Sequence, residues 1–242
     1  MKNNKSLKII IASLLLLTLI FSFSPRLEVQ AASGKTAYVD IKSGYLNVRS
    51  GPGSKHKSVG KLYNKDKLNV LSVKNGWAKF TYKGKSSYTS NDYLRYYKTM
   101  SKTEAKKLTD KAIKLQDSLD KSYTKKQIKA KLSPAFTDAF INKFIKYDFW
   151  KSGKDKSGNT LYQVIPTDFP YYYIMYGFIW DDAKAYERAQ PVKVTYYKKK
   201  GKEYLLVSQK YYPDELYSNV EQKVYFSRSS SNAKWRVYNT RW

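Results

Sequence analysis

The residues that could carry out chemistry are few. The chain has no cysteine and one histidine, His56, which sits in a basic loop. A Cys–His nucleophile pair is therefore excluded, and no histidine triad or multi-histidine zinc site can form in the C-terminal part. His56 itself reads as a solvated loop residue. Acid–base hydrolysis would need two carboxylates facing one cleft. The available clusters are Asp181-Asp182, Glu187 and Asp214-Glu215. Neighbouring carboxylates point in different directions on regular structure, and all of these lie beside expected turns. The spacings Ser54 to Lys57 and Ser122 to Lys125 imitate a Ser-x-x-Lys motif, but so lysine-rich a chain produces them by chance. The expectation is a protein that is not an enzyme, with no catalytic residue, metal or cofactor. A hydrolase with an unrecognised carboxylate pair is the alternative.

A second candidate is the stretch YLNVRSGPGSKHKSVG, Tyr45 to Gly60. A phosphate-cradling loop offers successive backbone N–H groups, then a lysine and a helix. Here Pro52 removes one N–H, no glycine directly precedes Lys55, and strand patterns follow. Gly51-Pro52-Gly53 is better explained as a tight turn, with proline fixing φ and the glycines relieving steric limits.

Charge is the stronger signal. The 242 residues hold 46 Lys+Arg against 19 Asp+Glu, a net charge of +27. The first 31 residues carry Lys2, Lys5 and Lys8, then an apolar run from Ile9 to Phe23, then Val29-Gln30-Ala31. That is the layout of a secretory signal peptide cleaved before Ala32. An uncleaved membrane anchor is the alternative, and only then would the protein be held at a membrane. Most of the positive charge lies outside this leader. An exported, strongly basic chain is drawn to polyanions with an attraction that weakens as salt rises. Without cysteine, its stability must come from packing rather than disulfides.

Elements must position whatever these residues do. Residues 36–97 read as five or six short strands. Leu46 and Val48 alternate with Asn47 and Arg49. Strands are expected at 58–62, 67–73 and 77–82, with Asn75-Gly76 a strong hairpin signal and Lys83-Gly84 another turn. The pattern predicts a small all-β barrel. YLNVRSGPGS (45–54), SVGKL (58–62), LNVLSVKNGWAKFTYKGK (68–85) and YTSNDYL (88–94) resemble the bacterial SH3-like domains. Two departures stand out. Lys65 stands where the family turns on glycine, and Ser87 and Thr89 replace the usual glycine and valine beside Tyr88. The resemblance implies binding of cell-wall peptides or peptidoglycan, without catalysis. The side chains expected to point away from the core are Asn47 and Arg49, joined by the rings of Tyr45, Trp77 and Tyr88. Aromatic faces suit sugars, and an arginine fork suits carboxylate or phosphate. The competing reading gives Trp77 the packing of its hairpin and Arg49 the bracing of the turn.

Residues 101–242 read as an α+β domain, with helices first and an antiparallel meander after. Ser101-Lys102-Thr103-Glu104 is a capping box, and Ala105, Leu108, Ala112, Leu115 and Leu119 repeat with helical spacing. Thr124 with Gln127 starts a short helix through Leu132. Ser133-Pro134 reads as the start of a third, with Phe136, Phe140, Ile141, Phe144 and Ile145 on one face. KSGKDKSGNT (151–160) reads as a loop. Strands are expected at 192–197, 203–212, 221–229 and 234–242. The order resembles the cone-shaped nuclear-transport-factor-like fold, in which a curved sheet wraps helices around a pocket. KLSPAFTDAFINKF (131–144) and WRVYNTRW also resemble an uncharacterised family that follows SH3-like domains in secreted Gram-positive proteins. YYYIMYGFIW (171–180) reads as core and sheet surface, with a ligand pocket as the alternative.

Together these readings predict a secreted or wall-associated binding protein. Its partner would be peptidoglycan or teichoic acid, with no specific nucleic acid. A second domain acting as a small-ligand or partner-protein pocket with a regulatory role is the other alternative.

Overall fold

The computed structural model describes residues 33–168, 170–175, 177–213 and 220–242. The leader and Asp214-Glu215 lie outside the described residues. The chain is mostly β, built around a large antiparallel sheet with few helices. β1 (Lys35–Val39), β2 (Leu46–Arg49), β3 (Ser58–Leu62), β4 (Lys67–Lys74), β5 (Trp77–Tyr82), β6 (Lys85–Ser90) and β7 (Leu94–Lys98) form the first part. Helix α1 (Lys102–Asp117), the two-residue β8 (Tyr123–Thr124), α2 (Lys125–Leu132) and α3 (Asp138–Asp148) follow. Next come β9 (Phe149–Lys154), β10 (Thr160–Val164) and the single-turn α4 (Asp182–Ala185). The chain closes with β11 (Lys193–Lys199), β12 (Lys202–Lys210), β13 (Glu221–Arg228) and β14 (Arg236–Arg241).

The hairpins follow from turn chemistry. Asn75-Gly76, Lys83-Gly84 and Lys200-Gly201 each place two successive residues at positive φ. This is the backbone twist that matches two-residue hairpin loops. Lys65 also sits at φ 75, so it adopts the left-handed conformation that favours glycine. The turn holds because the Lys65 N–H donates to the Val39 carbonyl at 2.8 Å and the Tyr63 N–H to Asp66 Oδ2 at 2.7 Å. Ser87 and Thr89 are both buried, and the Thr89 hydroxyl donates to the Asn47 carbonyl at 3.0 Å. Both departures from the family pattern are thus absorbed locally.

Two cores result. Ala37, Val39, Val48, Val70, Phe80 and Leu94 centre the first. Phe136, Phe140, Phe144, Leu205, Val224 and Phe226 centre the second, where helices cover one face of β11–β14. The cores share one sheet, ordered β14-β13-β12-β11-β7-β1-β4-β5-β6-β2-β3. Its continuity rests on β7 pairing antiparallel with β11, Tyr97 opposite Tyr197. Residues 34–242 accordingly form one compact unit. Buried Glu203 on β12 reinforces the joint, accepting from Lys98 of β7 at 2.7 Å and from Arg228 of β13 at 2.6 Å.

Both capping boxes are present, at Ser101/Glu104 and Thr124/Gln127. The third helix differs from expectation. Ser133 closes α2, its N–H donating to Lys129, and Thr137 is the N-cap of α3. Residues 135–137 are drawn into strand-like pairing: the Val237 N–H donates to the Ala135 carbonyl, and the Thr137 N–H to the Val237 carbonyl. Competing backbone partners from the far end of the chain therefore delay the helix. The expected loop at 151–160 is confined to residues 155–159; the residues on either side belong to β9 and β10, which pair as a hairpin. The turn itself is held by Asp155, whose carboxylate accepts from the N–H groups of Ser157 and Asn159.

The described residues of the aromatic run 170–180 have no regular structure, so their backbone groups need other partners. Side chains supply them. Asp148 accepts from the N–H groups of Tyr171 and Tyr172, Gln116 binds the Tyr172 carbonyl and the Ile174 N–H, and Gln209 binds both polar groups of Ile179. Ile174 is buried, while Tyr172, Tyr173, Phe178 and Trp180 pack against the second core.

Asp148 has a measurable consequence. Burial outweighs its two backbone hydrogen bonds and pushes the carboxyl up to about 6. Between about pH 4 and pH 6 the folded chain holds a proton that the unfolded chain has lost. Stability therefore falls as pH rises through that window, by about 2 kcal/mol. Urea unfolding across pH 4 to 7 should show this slope in the wild type, and Asp148→Asn should flatten it. An unchanged slope in the variant would assign the effect to another group.

Candidate functional site

An open groove of about 630 Å³ runs along the outer end of the first domain. Strand alternation creates one wall. Leu46 and Val48 are buried, so Asn47 and Arg49 project outward. Trp77 opens β5 with Ala78 and Phe80 buried behind it, which leaves the indole half-exposed on the wall. Tyr45 precedes β2 and is 48% exposed, its ring lying 4.1 Å below Lys61 Nζ.

Four of the five residues singled out from the sequence, Tyr45, Asn47, Arg49 and Trp77, therefore line one groove. Tyr88 does not. It lies across from Arg49 in the β2–β6 pair but outside the groove lining. Arg49 also braces the glycine turn, Nη1 donating to the His56 carbonyl at 2.8 Å. Its other guanidinium nitrogens have no partner in the protein among the described residues, so bracing and ligand contact are compatible. The His56 ring packs over Gly51, where an added Cβ would come within 2.5 Å of it. A side chain at that position would therefore require the exposed His56 ring to move.

Sequence reasoning missed the opposite wall. Lys42 and Tyr93 come from the first domain, but Lys199 and Lys200 come from the β11–β12 turn, more than 100 residues away. The Lys-Gly turn was visible in the sequence, but its position beside Tyr93 was not. Lys200 Nζ lies 5.7 Å over the Tyr93 ring. The wall's one acid, Asp40, is already engaged, with Arg95 and Lys199 each at 2.7 Å. Burial opposes its ionisation, but the bonds from Lys199 and Arg95 outweigh burial and hold its pKa below the usual carboxylate range. The groove therefore presents uncompensated cations and aromatic rings. It suits a ligand with sugar or peptide surface and a carboxylate or phosphate.

The acidic clusters have other occupations. Asp181 caps α4 by accepting from the Ala183 and Lys184 N–H groups, and Asp182 pairs with Lys102 at 2.7 Å. Glu187 is exposed. Among the described residues no helix is long and apolar enough to cross a membrane.

The comparisons with known families agree with this division. Residues 44–95 match the bacterial SH3 domain, and residues 101–197 match a protein family of unknown function (DUF3993). A bacterial SH3 domain is thus followed by a DUF3993 domain, and the first suggests a binding role. No curated protein matches the chain.

Proposed function

We propose that this protein is a secreted, non-catalytic, cell-wall-associated binding protein. Its groove recognises peptidoglycan, and its basic surface holds an anionic wall polymer such as teichoic acid. The observation that carries this reading is the convergence of Tyr45, Asn47, Arg49 and Trp77 with Lys42 and Lys200 around one groove. On the same reading the first domain is a small SH3-like barrel and the second a cone-shaped, nuclear-transport-factor-like fold. Helices packed against one face of β11–β14 support the latter. The interior of that domain is filled by Phe136, Phe140 and Phe144, which favours a structural use of its aromatic residues over a ligand cavity.

Trp77→Ala tests the groove. A central tryptophan contributes about 2 kcal/mol to a typical interface, so affinity for purified walls should fall about thirtyfold. Co-sedimentation, with folding checked by circular dichroism, measures it. Binding that survives Trp77→Ala unchanged removes the groove from the interaction. Raised salt should release part of the bound protein, and stripping teichoic acid from the walls should abolish that salt-sensitive part. A protein that does not sediment with walls at low salt ends the proposal.

A further inference from the structure

The face of the large sheet turned away from the helices carries a continuous row of tyrosines. Six adjacent strands each supply one: Tyr38 on β1, Tyr97 on β7, Tyr197 on β11, Tyr204 on β12, Tyr225 on β13 and Tyr238 on β14. Register aligns them, with Tyr97 opposite Tyr197 and Tyr197 opposite Tyr204. Tyr38, Tyr97, Tyr197 and Tyr204 touch in turn, with centroids 5.2–6.2 Å apart; Tyr204 then meets Tyr238 at 6.2 Å, and Tyr225 joins through Tyr238 at 6.0 Å. At the usual spacing between strands the row runs roughly 24 Å. It crosses the joint between the two domains without a break.

Two properties separate this row from ordinary sheet covering. Its phenol hydroxyls are unsatisfied by the protein: Tyr38, Tyr197, Tyr204, Tyr225 and Tyr238 have no hydrogen-bond partner among the described residues, and only Tyr97 has one, from Arg95 at 3.4 Å. Its border is cationic. Lys67, Lys193, Arg236 and Arg241 are exposed on strands of the same sheet, and none is paired with a carboxylate among the described residues. The acids on this face, Asp40 and Glu221, are already held by Arg95, Lys199 and Lys223.

We propose that this row binds a linear, negatively charged polysaccharide laid across the strands. The rings give an apolar track, the free phenols meet sugar hydroxyls, and the border cations meet the acidic groups. Single-stranded nucleic acid fits less well. Bases need open ring faces to stack on, whereas Tyr197 and Tyr204 cover one another at 5.2 Å and 16°. None of the row's tyrosines lines the Trp77 groove, although Asp40 and Lys199 border both, and the inference does not depend on the reading of that groove.

The test is calorimetric titration of the full-length protein with a hyaluronan decasaccharide, in which N-acetylated and carboxylate sugars alternate. Polyphosphate serves as the charge-only probe, a neutral N-acetylglucosamine hexamer as the uncharged one, and oligo-dT as the nucleic acid. Hyaluronan should bind, and the neutral hexamer should bind at least about tenfold more weakly. The triple variant Tyr197→Phe, Tyr204→Phe, Tyr238→Phe keeps the ring packing and should fold. Losing three hydroxyl contacts should weaken hyaluronan binding about tenfold while leaving polyphosphate binding unchanged. Tyr97→Ala, at a ring that is 49% exposed, should weaken hyaluronan binding as well. The proposal is overturned if hyaluronan does not bind, if the triple variant binds it as the wild type does, or if both polyanions weaken equally. It is also overturned if oligo-dT binds and shows the same loss. Hyaluronan lost on Trp77→Ala but kept by the tyrosine variants would place the glycan in the groove and overturn the row alone.

Discussion

Glu203→Ala is expected to destabilise the protein by about 3 kcal/mol, lowering the melting temperature by about 10 °C. Glu203 is 2% exposed and lies between Lys98 and Arg228, with the Tyr196 hydroxyl accepting from both cations. Removing the carboxylate leaves two positive charges facing each other across the joint. The cost falls at the low end of that for a broken buried ion pair because the Lys98 side chain is 42% exposed and can turn to water. The pH dependence gives an independent check. Burial opposes ionisation of Glu203, but the bonds from Lys98 and Arg228 win and hold it down to about 2. The unfolded chain therefore binds the proton first as pH falls. The stabilisation is complete above about pH 4.5 and is lost between there and about pH 2. Urea unfolding across this range should show the acid limb in the wild type and a reduced one in Glu203→Gln. A variant as stable as the wild type at pH 7, or an undiminished acid limb, would show that the triad does not brace the joint.

This limb runs opposite to that of Asp148, for a reason visible in their surroundings. Both carboxylates are 2% exposed. Glu203 faces two cations, so its charged form is favoured on folding. Asp148 faces only the neutral N–H groups of Tyr171 and Tyr172, which do not compensate burial. Burial alone does not set the direction of a shift; the charge of the neighbours does.

Legibility in the sequence tracks the range of the interactions. Asn75-Gly76 and both capping boxes are local devices, and each appears where its residues announce it. The alternation at 46–49 correctly faced Asn47 and Arg49 outward, so one wall of the groove could be read. The start of α3 could not, because residues 135–137 answer to Val237, about 100 positions away. The same holds for the β7–β11 pairing and for the Asp40–Lys199 bridge, which bring Lys199 and Lys200 to the other wall. Helical spacing also concealed Gln116. It reads as an ordinary polar helix position, yet it is 1% exposed and holds the backbone of the aromatic run. A side chain that substitutes for a missing strand partner leaves no periodic signal. The tyrosine row was hidden similarly. Its members look like scattered strand aromatics until register brings them side by side.

Phe140→Ala should be the most damaging single core change, at about 4 kcal/mol. Phe140 is fully buried, stacks on Phe136 at 5.0 Å, and meets Phe144 at 5.9 Å and Tyr172 edge-on at 5.7 Å. With three aromatic neighbours fixed by α3 and by the Gln116-held run, the site cannot collapse easily. Phe140→Leu keeps most of the volume and should cost about 1 kcal/mol. The more informative measurement is where the loss is felt. If β7–β11 pairing and the Glu203 triad make residues 34–242 one cooperative unit, weakening the second core must also expose the first. Amide hydrogen exchange at Val48 and Phe80, both buried in the first core, should then accelerate in Phe140→Ala as much as exchange at Phe226. Acceleration confined to the second core would show that the domains open independently, despite the sheet that runs through both. Cooperative opening would mean instead that a polymer bound along the tyrosine row, touching both sides of the joint, stabilises the two domains together.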